Sequence, residues 1–308
     1  MDKPIYSYYL KLLENDSRPE FLEKYLKTPS LLRLQKVAYF CGMDKASKDI
    51  YDFKENYSRF DHSLSVALLT WKYSHNKKAT LAGLFHDVGT PCFSHVIDYM
   101  NKDYATQEST EAFTERILKN DSYLQNCLRE DNIRIDEIIN FKKYSIVDNS
   151  RPKLCADRLD GVILTGISWT KDINSLDINR VIEDITVFHN EENEEELGFQ
   201  SETIANQVVE FSKKIDIYCH SSEDNYMMEL LADITRKAIS CQLFTYEELY
   251  TLQEDEVWSR LMSCNNAELA SKLYEFESIQ KSQIEELSLS NVKVRDLKPL
   301  VGGKRIME

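Results

Sequence analysis

Eight glycines and six prolines punctuate all 308 residues. A β-sandwich needs turn residues at most strand junctions, and a doubly wound sheet needs them between successive βαβ units. A chain this poor in both is expected to be helical. Its apolar share of 42%, with 17 Tyr and 13 Phe, can fill a sizeable core. The length suits one large domain, or a domain with an extension. The expected fold class is all-α: a helical core over 1–185 and a helical extension over 186–308. The boundary lies beside the acidic run "EENEEE" (191–196), read as a solvated turn or hairpin tip. "PSLLRLQKVAYFCGM" (29–43) has helical spacing and is expected to stop at Gly42. "VKVRDL" (292–297) alternates and is read as a short terminal β segment.

The net charge of −14 argues against an extended nucleic-acid face, which uses a basic surface. It leaves room for a small basic pocket that takes one phosphorylated molecule. The seven cysteines form no CxxC pair, so buried thiols in a reducing compartment are expected. The opening residues lack the basic-then-apolar order of a signal peptide. No apolar run approaches the length of a membrane span. A cytoplasmic protein without a membrane partner is the expectation.

Only six histidines occur, and His62, His86 and His95 share one short window. Residues 60–74 and 78–87 read as two helices joined by a short turn. An antiparallel pair would bring His62, near the start of the first, to His86, near the end of the second. Asp87 follows His86 directly. Asp157, which interrupts an apolar helical stretch, is the best candidate to complete a ligand set. Two imidazoles and two carboxylates suit one divalent transition metal (Mn, Fe, Ni, Co or Zn, with Mg as a further option) better than Ca, which prefers oxygen alone. Such an ion supplies Lewis acidity toward a phosphoryl oxygen.

"YSRFDHSLSVALL", "AGLFHDVGTPCFSHVID" and "CADRLD" together resemble the HD superfamily of metal-dependent phosphohydrolases. The closest likeness is to its dNTP triphosphohydrolase branch, which includes dGTPase-like enzymes and the sterile-alpha-motif HD protein. The resemblance is dense over 57–98 and 154–160. It implies His62, His86, Asp87 and Asp157 as metal ligands, and Arg59 and Arg158 as contacts to substrate phosphate. It implies His95 as general acid or base; Asp98, at i+3 on the same helix, is read as the residue that holds its tautomer. It further implies a nucleotide or similar phosphorylated small molecule as substrate, and homo-oligomeric assembly.

The departures from that branch lie beside the motif. Gln107 stands where the branch has a second catalytic histidine, and is a candidate substrate contact that cannot shuttle a proton. Thr90 replaces a histidine. Gly161 and Thr165 replace the tyrosine and aspartate that face nucleotide base and sugar. Metal and phosphate groups are kept while sugar and base contacts change. The expected activity is dNTP triphosphohydrolase-like. Phosphomonoester or phosphodiester hydrolysis, or nucleotide sensing without turnover, are the alternatives. Lys153 and Lys304 are minor candidates for phosphate contacts. His189 and His220 read as surface residues, and Cys92 and Cys155 as packing.

Overall fold

A computed structural model describes residues 3–14, 18–107, 109–285 and 292–306. Helices dominate. The first three are α1 (Pro4–Glu14), α2 (Leu22–Tyr25) and α3 (Pro29–Arg33). The pair that carries the histidines is α4 (Arg59–Ser74) and α5 (Lys77–Phe85). Then come α6 (Val96–Asn101), α7 (Thr114–Asn120), α8 (Ser122–Glu130), α9 (Asp136–Ile139), α10 (Ala156–Ser168) and α11 (Ser175–Asp184). A hairpin of β1 (Ile185–His189) and β2 (Glu195–Phe199) separates these from α12 (Glu202–Cys219), α13 (Ser222–Ser240), α14 (Glu254–Met262) and α15 (Ala267–Ser278). Two short strands close the described chain, β3 (Leu300–Val301) and β4 (Lys304–Arg305).

The start of α4 is set locally. Ser58 Oγ accepts from the Asp61 amide at 3.2 Å, and Asp61 Oδ2 accepts from the Ser58 amide at 2.7 Å. This capping box satisfies donors that an uncapped first turn leaves bare. Ser58→Ala is expected to lower stability by about 1 kcal/mol, read as a lower urea midpoint at unchanged slope. His75, in the left-handed region, ends α4, and Asn76 Oδ1 caps α5 through the Lys78 and Ala79 amides at 3.0 and 3.1 Å. The reversal makes the two helices antiparallel. A Cβ on Gly83 would lie 3.4 Å from Val66 Cγ1 and 3.2 Å from Thr70 Oγ1, so the missing side chain sets how closely they approach.

The all-α expectation is corrected by a four-stranded sheet in the order β1-β2-β3-β4. β2 pairs antiparallel with β1 and parallel with β3, and β3 pairs antiparallel with β4. Strands of two residues leave no alternation to read, and β3 pairs with β2 about a hundred positions earlier. "VKVRDL" is not a strand. Its backbone is held elsewhere, with the Lys293 amide on the Tyr104 carbonyl at 2.9 Å and the Arg295 amide on Asp216 Oδ1 at 2.7 Å. The acidic run is indeed the hairpin turn, yet its last member is not solvated. Glu196 is fully buried and takes both arms of Arg305 at 2.9 and 2.8 Å. The helix expected over 29–43 ends as α3 at Arg33 and gives way to a 3-10 turn over Leu34–Lys36, because Val37 and Ala38 are drawn into extended pairing with Ser58 and Arg59.

Two apolar cores result. One joins α1, α4, α5, α10 and the inner face of α12. The other packs α13–α15 against Met43, Ala46 and Tyr51 and against Cys92, Phe93, Val96 and Ile97. The C-terminal helices therefore share a core with the segment that follows the His86-Asp87 pair.

Candidate metal centre

The antiparallel pair places the His62 and His86 rings 5.2 Å apart, centroid to centroid. One donor atom each from His62, His86 and Asp87 falls within 4.8 Å of the others. Asp157, in the first turn of α10, brings Oδ1 to 3.0 Å from His62 Nε2 and 3.5 Å from His86 Nε2. Three of the four side chains foreseen as ligands therefore cluster, and the fourth, Asp157, lies against both histidines. On its other side, Asp157 lies with Asp148 and the Cys155 thiol, one ligand atom of each within 4.8 Å of the others.

Each imidazole is turned by a partner behind it. His86 Nδ1 faces the Gly83 carbonyl at 2.7 Å, which leaves Nε2 as the inward lone pair. His62 Nδ1 meets Asp160 Oδ2 at 2.6 Å, and Asp160 Oδ1 accepts from the Tyr9 hydroxyl at 2.9 Å. Asp160 is fully buried. A carboxylate behind a histidine fixes ring orientation and raises its basicity. Its role was not foreseen from sequence, although Asp157 and Asp160 are spaced i, i+3 on one helix face. Burial pushes the His62 imidazolium down, but hydrogen bonds to Asp157 and Asp160 pull it up to about 10. For Asp87, burial favours the neutral acid, and His86, Arg59 and His62 overcome it, holding the carboxyl well below the usual range. The donor set is two buried imidazoles and ionised carboxylates, with a His62 proton that a bound cation would displace, and it fits a divalent transition ion.

The loops around this point are strained. Cys41, Phe93 and Ser94 are non-glycine residues at positive φ, and Gly42, next to Cys41, has φ +77°. Ser94 does not cap α6, as its position suggests; at φ +47° its hydroxyl instead accepts from Arg59 Nε at 3.1 Å. Such strain persists where surrounding contacts over-determine it. Those contacts come from far away in sequence. Glu254 Oε2 accepts from the Ala38 and Phe93 amides at 3.1 and 3.2 Å. Arg33 donates to the Val88 carbonyl at 3.3 Å and to the Thr90 carbonyl. Neither residue stands out in the sequence. Gly89, in the turn after Asp87, sits where a Cβ would lie 2.2 Å from Thr114 Oγ1 and 2.9 Å from the Thr114 backbone nitrogen. Gly89→Ala is expected to cost roughly 1–3 kcal/mol through overpacking, read by denaturant unfolding.

The two arginines are busier than their anticipated role suggests. Arg59 is buried; its Nη1 meets Asp87 Oδ2 at 3.0 Å, its Nη2 the Tyr39 carbonyl at 3.3 Å, and its plane lies 5.0 Å from the Tyr39 ring. It holds Asp87 in place. Arg158 clasps the preceding loop, with Nη1 on Asn149 Oδ1 and Nη2 on the Asn149 carbonyl, both at 2.8 Å, and a further bond to the Lys153 carbonyl. Its Nε is buried without a hydrogen-bond partner among the described residues. Lys153 is turned away to Glu192 and Glu194 of the hairpin, and Lys304 lies on β4 beside a separate shallow depression.

His95 Nδ1 lies 2.8 Å from Asp98 Oδ2, and Asp98 is fully buried, its other oxygen taken by the Ser109 amide at 3.0 Å. Gln107, at φ +53°, faces the same space. That space is a cavity of about 870 Å³ lined by the four clustered side chains, His95, both arginines, Gly161 and Thr165. The aromatic groups Phe40, Phe53 and Trp169 form another part of its wall. A Cβ on Gly161 would only touch the Tyr39 hydroxyl, at 3.5 Å.

Residues 59–162 match the HD domain family. Over 140 residues the chain is 29% identical to the uncharacterized protein YdhJ of Bacillus subtilis, covering 45% of this chain and 41% of that one. Over 131 residues it is 25% identical to the metal-dependent phosphohydrolase cns2 of Cordyceps militaris, covering 42% and 37%. These matches span about two-fifths of the relatives' own lengths. No described helix is long and apolar enough to cross a membrane. The residues that match the HD domain family, 59–162, include α4, α5 and the start of α10, and so take in His62, the His86-Asp87 pair and Asp157.

Proposed function

We propose that this chain is a metal-dependent phosphohydrolase acting on a nucleotide, in the manner of a dNTP triphosphohydrolase. The clustering of His62, His86 and Asp87 inside a cavity, with Asp157 against both histidines, carries the reading. A divalent ion held by these four would supply Lewis acidity toward a phosphoryl oxygen. The chain's own groups do the rest. Asp160 and the Gly83 carbonyl orient the two imidazoles. Arg59 keeps Asp87 ionised and in position, and lends positive charge to a bound phosphate. Asp98 fixes the His95 ring and leaves Nε2 free to give or take a proton beside the scissile bond. The wall of Phe40, Phe53 and Trp169 suits an aromatic base. Gly161 and Thr165 leave the neighbouring sugar site without a tyrosine or carboxylate, so discrimination against ribose is expected to be weak.

The test is turnover with Mn²⁺, Co²⁺, Ni²⁺ and Mg²⁺ against nucleoside mono- and triphosphates and simple phosphomonoesters. Metal-dependent release of phosphate or tripolyphosphate, abolished by EDTA, is expected. A second reading, nucleotide sensing without turnover, draws on Gln107, which offers no titratable proton on its side of the cavity. Tight nucleotide binding with no product under any of the four metals would favour it.

A further inference from the structure

Three cations on the cavity wall make no ion pair with any described residue. Arg151, Lys293 and Arg295 all face the cavity. Among the described residues, their side-chain hydrogen bonds go to neutral carbonyls: Arg151 Nη1 to Asp296 at 3.4 Å, Lys293 Nζ to Thr106 at 3.2 Å, and Arg295 Nη1 to Lys293 at 3.2 Å. No described carboxylate oxygen lies within 4.0 Å of the guanidinium or ammonium nitrogens of the three, although the Arg295 backbone amide is held by Asp216. This occurs in a chain with 52 acidic and 38 basic residues, where carboxylates are plentiful. Burial, then Arg158 and Arg295, pushes the Arg151 guanidinium down to about 10. Burial, then Arg151 and Arg295, pushes the Lys293 ammonium down as well. Arg295 differs: burial is outweighed by Cys219, Asp224 and Asp216, which raise it. Half-buried like charges that no described carboxylate pairs directly repel one another and favour an anion between them. The cluster is also within the field of Asp157, which acts on both Arg151 and Lys293, so it borders the metal centre.

We propose that Arg151, Lys293 and Arg295 form an anion subsite for an oligophosphate chain, holding the phosphates remote from the one that reacts. The placement of the reacting phosphate rests on the phosphohydrolase reading; the binding of the anion does not. Substrates with two or more linked phosphates then bind by charge at both ends of the cavity, and monoesters at one. The "VKVRDL" segment supplies two of the three cations, and its irregular backbone, pinned to Tyr104 and Asp216, aims them inward. Lys293 further ties this segment to Thr106, next to Gln107, so the subsite and the Gln107 turn share one wall.

The test measures binding of inorganic tripolyphosphate and of orthophosphate by calorimetry in EDTA, on the whole chain. Wild type is expected to bind tripolyphosphate at least about 10-fold more tightly than orthophosphate, with affinity falling as salt rises. Lys293→Ala and Arg151→Ala should each weaken tripolyphosphate binding about 10-fold, the worth of one charge-assisted contact. Lys293→Arg should restore it. Equal affinity of wild type for the two anions overturns the subsite, and so does unchanged tripolyphosphate affinity in Lys293→Ala. Lys293→Ala decides the matter alone if Arg151→Ala fails to fold, because the Lys293 ammonium is tied to the described chain only through the Thr106 carbonyl. In turnover, Lys293→Ala should raise KM for a nucleoside triphosphate about 10-fold and leave that for a monophosphate unchanged. Absence of turnover with every substrate and metal sinks the phosphohydrolase reading, while the calorimetry still decides the subsite.

Discussion

His62→Ala is expected to remove metal-dependent hydrolysis by a factor on the order of 10³ or more, because several kcal/mol of charge stabilisation at phosphorus depends on the ion and each 1.36 kcal/mol is tenfold. The substitution deletes one ligand and, with it, the reason for Asp160 to sit buried behind the ring. Two readouts separate the causes. In wild type, Mn²⁺ at a hundred times its Kd should add about 2.7 kcal/mol of stability; in the variant that increment should vanish. In EDTA the variant should be weaker by roughly 1–3 kcal/mol, since Asp157 loses a hydrogen-bond partner and Asp160 keeps only Tyr9 among the described residues. A milder change, Asp160→Asn, leaves all four ligands in place and should lower metal affinity about 10–100-fold. Full metal-dependent activity in His62→Ala would remove the centre from the mechanism.

Glu254→Gln is expected to flatten the pH dependence of stability between about pH 5 and pH 8. Glu254 is 4% exposed, and burial, followed by the nearby Asp44, pushes its carboxyl up to about 7, against the pull of the Phe93 and Ala38 amides and of Lys45. The ordinary value is 4.5. A raised acid binds its proton more tightly when folded. Its contribution is therefore complete below the unfolded value, declines as pH rises, and is gone above about 7. At 1.36 kcal/mol per unit, the swing is up to roughly 3 kcal/mol. The glutamine stays neutral throughout and can still accept from both amides. Every other titrating group is common to both proteins, so the difference between their unfolding free energies across the pH series isolates Glu254. The variant should gain on wild type steadily toward pH 8. Parallel curves would refute the assignment.

Reading the sequence reached the cluster of His62, His86 and Asp87 because its logic is local. Two amphipathic helices with a short turn make His62 and His86 meet, and an aspartate inside an apolar run must have a partner. The supports were out of reach for the opposite reason. Glu254 and Arg33 hold backbone groups of distant loops, and nothing in their neighbourhoods marks them. Ser94 reads as a helix cap, and only its positive φ turns its hydroxyl toward Arg59. The sheet escaped notice because β3 and β4 are two residues long and are held by Arg305 on Glu196, a pairing that composition renders as two surface charges. The cationic wall joins Arg151 to residues more than a hundred positions later, so it exists only in three dimensions.

The stretch that resembles other proteins most is thus not the stretch that can stand alone. The Cys92 amide bonds to the Leu249 carbonyl at 2.8 Å, the Cys92 thiol to Leu252, and Arg33 reaches the Leu252 carbonyl from the other side. The residues that lead into His95 therefore inherit their shape from a segment about 150 positions downstream. Heredity has to carry the two together: a recombination that moved 59–162 into another chain would deliver the histidines and leave behind the frame that aims them.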